Sequence, residues 1–329
     1  YNHFDNRVGV TEDRLMLNAN AGRYIRTEYL DATFGVDYNR VSGFSDTLNS
    51  TIVKFVPRFT ARGKKMHASA GIGLYHETDG EGATYFFPQA YFSYDIINHI
   101  IIPYVSLSGS LERNNYNTLS STNPFVSSGV AVGLKNTQRL FELEVGLKGS
   151  LSAEVFYQVS ASRYELKNAP FYVNTVFNQD VMQNKFEVVY DGADVVHIGG
   201  QLGWQRTEKI KLVVGGDWYQ YTMLTESHPW HTPTLRLNLL ASYNIQDKIL
   251  VHSQLYYLNG QYARVGSGSN TATINLKGLV DVNLGLEYRY NKFLSLYVDL
   301  RNVASQRYER WYGYPTQKFN VIGGLTYTF

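Results

Sequence analysis

The chain closes on "FNVIGGLTYTF", residues 319–329. Its odd positions read Phe319, Val321, Gly323, Leu325, Tyr327 and Phe329, and its even positions read Asn320, Ile322, Gly324, Thr326 and Thr328. Successive strand side chains point to opposite faces, so this period of two describes a strand with one greasy face and one largely polar face.

The same alternation recurs upstream. Leu294, Leu296, Val298 and Leu300 stand against Ser295, Asp299 and Arg301. Leu235, Leu237, Leu239, Ala241 and Tyr243 stand against Arg236, Asn238, Ser242 and Asn244. Phe141, Leu143, Val145 and Leu147 stand against Glu142, Glu144, Gly146 and Lys148. One greasy face per strand also suits a soluble sandwich, so length must decide. The alternating segments run about 11 to 20 residues, whereas soluble strands average about five or six and a tilted bilayer crossing takes about 9 to 11.

The connections fall into two strictly alternating classes. Short ones are "RYIRTEY", "TARGKKM", "IINHI", "KGSLSA", "QRTEKI", "NIQDK" and "RYNKF". Long ones, rich in Asn, Ser, Thr, Gly and aromatics, occupy 113–138, 167–184, 223–232, 265–275 and 305–318, with smaller ones near 44–50 and 78–83. That asymmetry is expected of a barrel whose rims face different compartments. Strands are placed near 8–26, 28–43, 51–62, 65–78, 84–96, 99–112, 139–149, 152–166, 185–206, 209–223, 233–244, 248–264, 275–289, 292–305 and 319–329. The count is about 15, and bacterial single-chain barrels take an even number, so at least one strand is expected upstream, giving about 16 or about 22 in total. The expected fold is all-β, a transmembrane antiparallel barrel forming a single domain over 1–329.

Composition agrees. Among 329 residues there are 27 tyrosines, 28 glycines, 8 prolines and no cysteine; aromatics reach 15% and charged residues only 18%. A net charge of +2 gives no footprint for nucleic acid. Without cysteine there is no disulfide framework and no thiolate metal site. The most apolar stretch, "SYDIINHIIIPYVSL", is interrupted by Asp95, Asn98 and His99, which excludes a helical membrane span. No signal peptide is recognisable after Tyr1. No internal repeat or linker divides the chain.

In a membrane barrel the apolar face meets lipid and the polar face lines a wet lumen. Lys54, Arg58, Glu142, Glu144, Lys148, Lys211, Asp217, Asp299 and Arg301 are therefore expected in the lumen, since packing them inside a narrow soluble barrel would bury charges at several kcal/mol each. Aromatics gather at strand ends: Trp218, Tyr288, Tyr290 and Phe293, with Tyr327 and Phe329 on the closing strand, read as membrane girdles. The bland reading is ordinary β-propensity.

The stretch 293–329, "FLSLYVDLRNVASQRYERWYGYPTQKFNVIGGLTYTF", resembles the last two strands of TonB-dependent receptors. The matching residues are Asn302, Tyr308, Gly313, Tyr314, Pro315, Tyr327 and Phe329, while Ala304 replaces a common aromatic. The phrases "YNHFDN" (1–6), "GLKGSLS" (146–152) and "APFYVN" (169–174) resemble Bacteroidota barrels of this group. The resemblance implies an outer-membrane location, about 22 strands, and an N-terminal plug with an energy-coupling segment. Neither plug nor coupling segment is visible in these residues, and without them these residues alone cannot carry out gated, energised uptake.

Motifs for catalysis are weak. His228 and His231 in "SHPWHTP" are spaced as metal ligands only on a helix, which Pro229 and Pro233 oppose, so an aromatic loop cap is the plainer reading. Glu142 and Glu144 share a face, yet a wet wall does not tune acid and base. There is no nucleophile elbow, phosphate loop or zinc-protease signature, and "GSGSN" (266–270) precedes no helix. Trp230, His231, Trp311, Tyr312 and Tyr314 are loop side chains suited to ligand or partner contact.

The expectation is a non-enzymatic outer-membrane barrel, with no cofactor and no metal, contributing to nutrient uptake. The alternative is a plugless accessory subunit of an outer-membrane assembly or secretion complex. A membrane-embedded hydrolase would require a reactive serine and its base. Expected partners are outer-membrane lipid and other outer-membrane or surface lipoprotein subunits; the ligand is open.

Overall fold

The computed structural model describes residues 1–5, 9–43, 47–78, 82–129, 133–175, 185–267 and 270–328. Phe329 lies outside the described residues, as do parts of the loops expected at 44–50, 78–83, 113–138, 167–184 and 265–275.

The chain starts with β1 (Asn2–Asp5), β2 (Thr11–Ile25), β3 (Glu28–Ser42), β4 (Leu48–Arg62), β5 (Met66–Glu77), β6 (Ala83–Tyr94) and β7 (Ile102–Glu112). A short helix, α1 (Tyr116–Thr122), precedes β8 (Thr137–Ser150), β9 (Val155–Thr175), β10 (Lys185–Arg206), β11 (Ile210–Met223), β12 (Leu235–Ile245) and β13 (Ile249–Asn259). The hairpin β14 (Gln261–Ser267) and β15 (Asn270–Leu276) leads to β16 (Leu279–Arg289) and β17 (Leu294–Arg301). Two small pieces, β18 (Glu309–Trp311) and β19 (Tyr314–Pro315), precede β20 (Asn320–Tyr327).

Every wall pairing is antiparallel and sequential from β2 to β13, then β13 to β16, β16 to β17 and β17 to β20. Among the described residues no ladder joins β20 back to β2, and β1 covers only Thr11–Arg14 of β2. The wall is thus a long antiparallel meander with one edge at the lower part of β2 and the other at β20.

Register carries the alternation across strands. Phe92, Val105, Val145, Ala161, Ile198, Trp218 and Leu235 are successive partners from β6 to β12. One residue along, Tyr104, Gly146, Ser160, Gly199, Asp217 and Arg236 form the opposite row. The first face leaves Leu143, Val145, Ile198 and Leu202 about half exposed (46%, 50%, 52% and 51%). An apolar face of that extent is stable only against hydrocarbon. No described helix is long and apolar enough to cross a membrane.

Short turns reverse the chain with left-handed residues, among them Arg26 (φ 59°), Thr207 (φ 54°), Gln246 (φ 53°) and Asp247 (φ 58°). Gly260 (φ 72°) sits where β13 gives way to β14, and a Cβ there would collide with Thr234 Oγ1. Beyond it β14 leaves the wall ladder and touches β9 through a parallel bridge, Val265 to Asn174.

The core lies at the long-loop end. Val10, Val41, Tyr116, Leu119, Val126, Tyr172, Phe186 and Trp311 form one buried cluster. These residues come from the tops of β2, β3, β9 and β10, from α1 and its loop, and from the last loop. Elements so far apart in strand order meet only because the sheet curls.

Candidate functional site: the polar face and the outer cap

Along the polar face, many of the charges have hydrogen-bonded or ion-pair partners. The Arg58 guanidinium donates twice to Asp31, from Nη2 at 2.7 Å and from Nε at 3.1 Å. Glu142 accepts from Arg139 Nη1 at 2.9 Å, and Glu144 accepts from the Tyr104 hydroxyl at 2.6 Å. Tyr104 lies over Gly146, where any Cβ would strike the ring, and its oxygen accepts from Gln158 Nε2 at 3.1 Å. Lys148 Nζ donates to the Tyr91 hydroxyl at 3.1 Å. Asp217 faces His197 Nε2 at 2.9 Å, and Asp299 faces His252 Nε2 at 3.4 Å. Lys54 stands opposite Gly35 and Tyr75, Lys211 opposite Gln205 and Ser242, and Arg301 opposite Asn320. All nine residues expected in the lumen share the polar face.

Trp218, Tyr288, Tyr290, Phe293 and Tyr327 are exposed. Trp218, Tyr288 and Tyr327 lie in register with the apolar partners Ile198, Leu296 and Leu294. Tyr288, Tyr290, Phe293 and Tyr327 gather at the short-turn end, whereas Trp218 stands on the half of β11 nearer the long loops.

The long loops interlock over the other end. His231 is at their centre, buried to 6% and in a left-handed backbone conformation (φ 56°). Its Nδ1 lies 2.9 Å from the Tyr172 carbonyl of β9, and its Nε2 accepts the Tyr312 N–H of the last loop at 3.3 Å. Those partners assign the neutral tautomer with the proton on Nδ1. Its backbone N–H donates to the Tyr262 carbonyl at 2.8 Å, and its carbonyl accepts from Gln261 Nε2 at 3.0 Å. Burial holds the imidazole down to about 4, against the lesser opposing effect of the Tyr172 carbonyl.

Trp230, 2% exposed, packs with Ala169, Phe171 and Val173 and donates its indole N–H to Glu226 at 2.7 Å. Glu226 also accepts from Arg264 at 2.7 Å. Trp311, 8% exposed, meets Tyr172 and Phe186 edge to face at 5.0 and 5.6 Å. Tyr314 stacks on Phe125 from the α1 loop. Tyr312 is half-buried. Trp230, His231 and Trp311 therefore point into the cap, and their rings tie loop to loop. Among the described residues no three His, Asp or Glu side chains converge as metal ligands.

Two carboxylates that the sequence did not single out anchor this cap. Glu12, 1% exposed on β2, accepts the first helical N–H groups of α1, Tyr116 at 3.2 Å and Asn117 at 2.7 Å, together with Asn39 Nδ2 at 2.8 Å. Asp191 of β10 accepts from Gly192 N–H, Thr225 N–H and Oγ1, and Glu226 N–H at 2.8 to 3.0 Å. Burial opposes its ionisation, yet these four donors hold its carboxyl below the usual range. The signal for α1 was present in the sequence: Asn115 with Thr118 three residues later is a reciprocal N-cap.

A family model described as TonB dependent receptor-like, beta-barrel, matches residues 8–303. Solved structures resemble the chain over nearly its whole length. The siderophore receptor PirA from Acinetobacter baumannii matches with a TM-score of 0.70 at 11% identity, covering 97% of this chain and 55% of that one. The pyoverdine outer-membrane receptor FpvA from Pseudomonas aeruginosa PAO1, bound to pyoverdine, gives 0.68 at 12% identity, covering 97% and 53%. The copper transporter OprC gives 0.64 at 12% identity, covering 97% and 57%. The chain thus spans about half the length of these structures. A search of curated proteins finds no match.

Proposed function

The chain belongs to the TonB-dependent receptor-like β-barrel family, and from that premise we propose that it forms the wall and outer loops of a nutrient-uptake path. It is an outer-membrane β-barrel protein. The observation that carries the reading is the division of its two faces. A water-facing wall rich in charged and polar side chains suits passage of a polar solute, and a lipid-facing belt suits nothing but a membrane. The solved neighbours are named as receptors or transporters, which supports a non-enzymatic role.

Residues 1–329 are read as one barrel domain, with outer-membrane lipid as the invariable partner. Among the described residues no ladder covers the lower part of β2 or the outer side of β20, and hydrocarbon does not satisfy backbone groups at such an edge. Further strands of the full protein are the economical way to fill that gap.

The test is growth and solute accumulation in cells with and without the full-length protein, across a panel of ferric chelates, cobalamin and oligosaccharides. Loss of uptake for one solute class, reproduced by collapsing the proton-motive force, is expected. Unchanged uptake together with collapse of a stable co-purifying complex would overturn the reading in favour of an accessory subunit.

A further inference from the structure

At the short-turn end of the polar face, β4, β5, β6 and β8 bring basic side chains to one place. Arg62 and His67 are direct cross-strand partners on β4 and β5. The His67 ring lies 5.2 Å from that of Tyr91 on β6, and the Tyr91 hydroxyl accepts from Lys148 Nζ of β8 at 3.1 Å. Together they border a cavity of about 570 Å³, within the range of about 300–1,000 Å³ usual for small-ligand sites. Tyr24 and Tyr29, with ring centroids 4.8 Å apart, line it from β2 and β3.

Among the described residues no carboxylate lines this cavity. Arg58, which also borders it, is answered by Asp31. Other acids of this end are engaged elsewhere: Glu144 accepts from Tyr104, and Asp95 of the β6–β7 turn faces His99 Nδ1 at 2.8 Å. Among the described residues neither Arg62 nor Lys148 has a carboxylate within ion-pair distance. Because the Tyr91 hydroxyl accepts from Lys148, its own proton is left to donate, so Arg62, Tyr91 and Lys148 offer donors with no acceptor to meet them. The positive charge continues past the rim. Arg26, Lys64 and Lys65 are exposed in the adjoining β2–β3 and β4–β5 turns. Within 23–29 and 62–66 Glu28 is the single acid, and it accepts from Thr27 Oγ1 at 2.9 Å.

We propose that this cavity and the two turns beside it dock an acidic peptide segment, with one carboxylate seated between Arg62, Tyr91 and Lys148 and its neighbours in sequence lying across Arg26, Lys64 and Lys65. Bonds from guanidinium and ammonium to a carboxylate are about twice as strong as neutral ones, and basic clusters of this kind read acidic motifs. The placement selects against other anions. A small oxyanion would fill the cavity and leave the turns unanswered. A lipid head group lies outside the wall, whereas Arg62, Tyr91 and Lys148 share the water-facing register with Arg58 and Glu144. Short turns of outer-membrane barrels face the periplasm, so the segment reaches the site from that side. The inference goes beyond the uptake reading, since it does not depend on which solute crosses the wall.

The test follows the fluorescence anisotropy of a labelled six-glutamate peptide added to the full-length protein in detergent, beside a six-lysine peptide and inorganic phosphate. Binding of the acidic peptide is expected, weakening as salt rises from about 0.05 to about 0.3 M. Arg62→Gln and Lys148→Gln should each weaken it about tenfold, while Lys248→Gln, in the β12–β13 turn, should leave it unchanged. Carbodiimide coupling in isolated outer membranes identifies the natural source. A bond from Lys64, Lys65 or Lys148 to a carboxylate of the same chain outside residues 1–329 marks an internal segment, which then also excludes the added peptide; a bond to another protein marks a partner. Heat-modifiable migration on gels checks that each variant folds, and Lys65→Gln replaces any that does not. Absence of both peptide binding and coupled product, equal weakening by Lys248→Gln, equal binding of the six-lysine peptide, or binding of phosphate alone would overturn the inference.

Discussion

His231 is held by two bonds of opposite polarity, one given at Nδ1 and one received at Nε2. A second proton on Nε2 would set it against the Tyr312 N–H, inside a buried aromatic cluster. In the unfolded chain the ring titrates near 6.5, and in the cap near 4. Between those values the loosened state binds more protons, so cap stability falls as pH drops from about 6.5 to about 4 and levels off below. The full difference is about 3 kcal/mol. Because the ring lies 5.2 Å from Trp311, tryptophan emission followed against pH reports it. His231→Phe should flatten that pH dependence and cost the cap about 1–3 kcal/mol at neutral pH, because it strands a carbonyl and an N–H. The sequence marked His231, Trp230 and Trp311 as loop aromatics. That they face inward was not legible, since their burial depends on strands β9 and β10 and on a loop eighty residues away.

At the scale of elements, α1 is too short to stand alone and depends on Glu12. Glu12→Ala should free two helical N–H groups, destabilise the loop by about 1–3 kcal/mol and make the segment 113–136 sensitive to protease while the wall stays intact. On β8 the two faces predict opposite tolerances. Leu143→Arg should cost about 2–4 kcal/mol in bilayer refolding, and Glu144→Gln, facing water, well under half of that. The wall strands were legible because period two, great length and alternating turn size all point one way. The additional elements were not. The outward extension of β9 to Thr175 and most of β15 lie in segments read as loops, because their composition is polar and their pairing is not with the lipid-facing wall, whereas β14 was read as the end of a single strand at 248–264 that the structure breaks at Gly260. The three-residue β18 and the seven-residue α1 are shorter than any periodicity can register.

At the scale of the molecule, the wall is an amphipathic sheet curled by loops that knit at one end. The expectation of about 15 wall strands agrees with the fifteen rungs of the meander from β2 to β13, β16, β17 and β20. Strand number in the full protein was not legible, since it depends on partners for two edges that the alternation cannot name. The central claim is that one face meets lipid and the other meets water, and the absence of cysteine makes it directly measurable. Single cysteines would be placed at Leu143, Val145 and Ala161, and at Glu144, Lys148 and Ser160, in the full-length protein in outer membranes, with any cysteine outside residues 1–329 replaced by serine first. Each would then be treated with a small water-soluble maleimide. Labelling at 144, 148 and 160 with protection at 143, 145 and 161 is the predicted result; equal labelling of both sets, or the reverse pattern, would contradict the account.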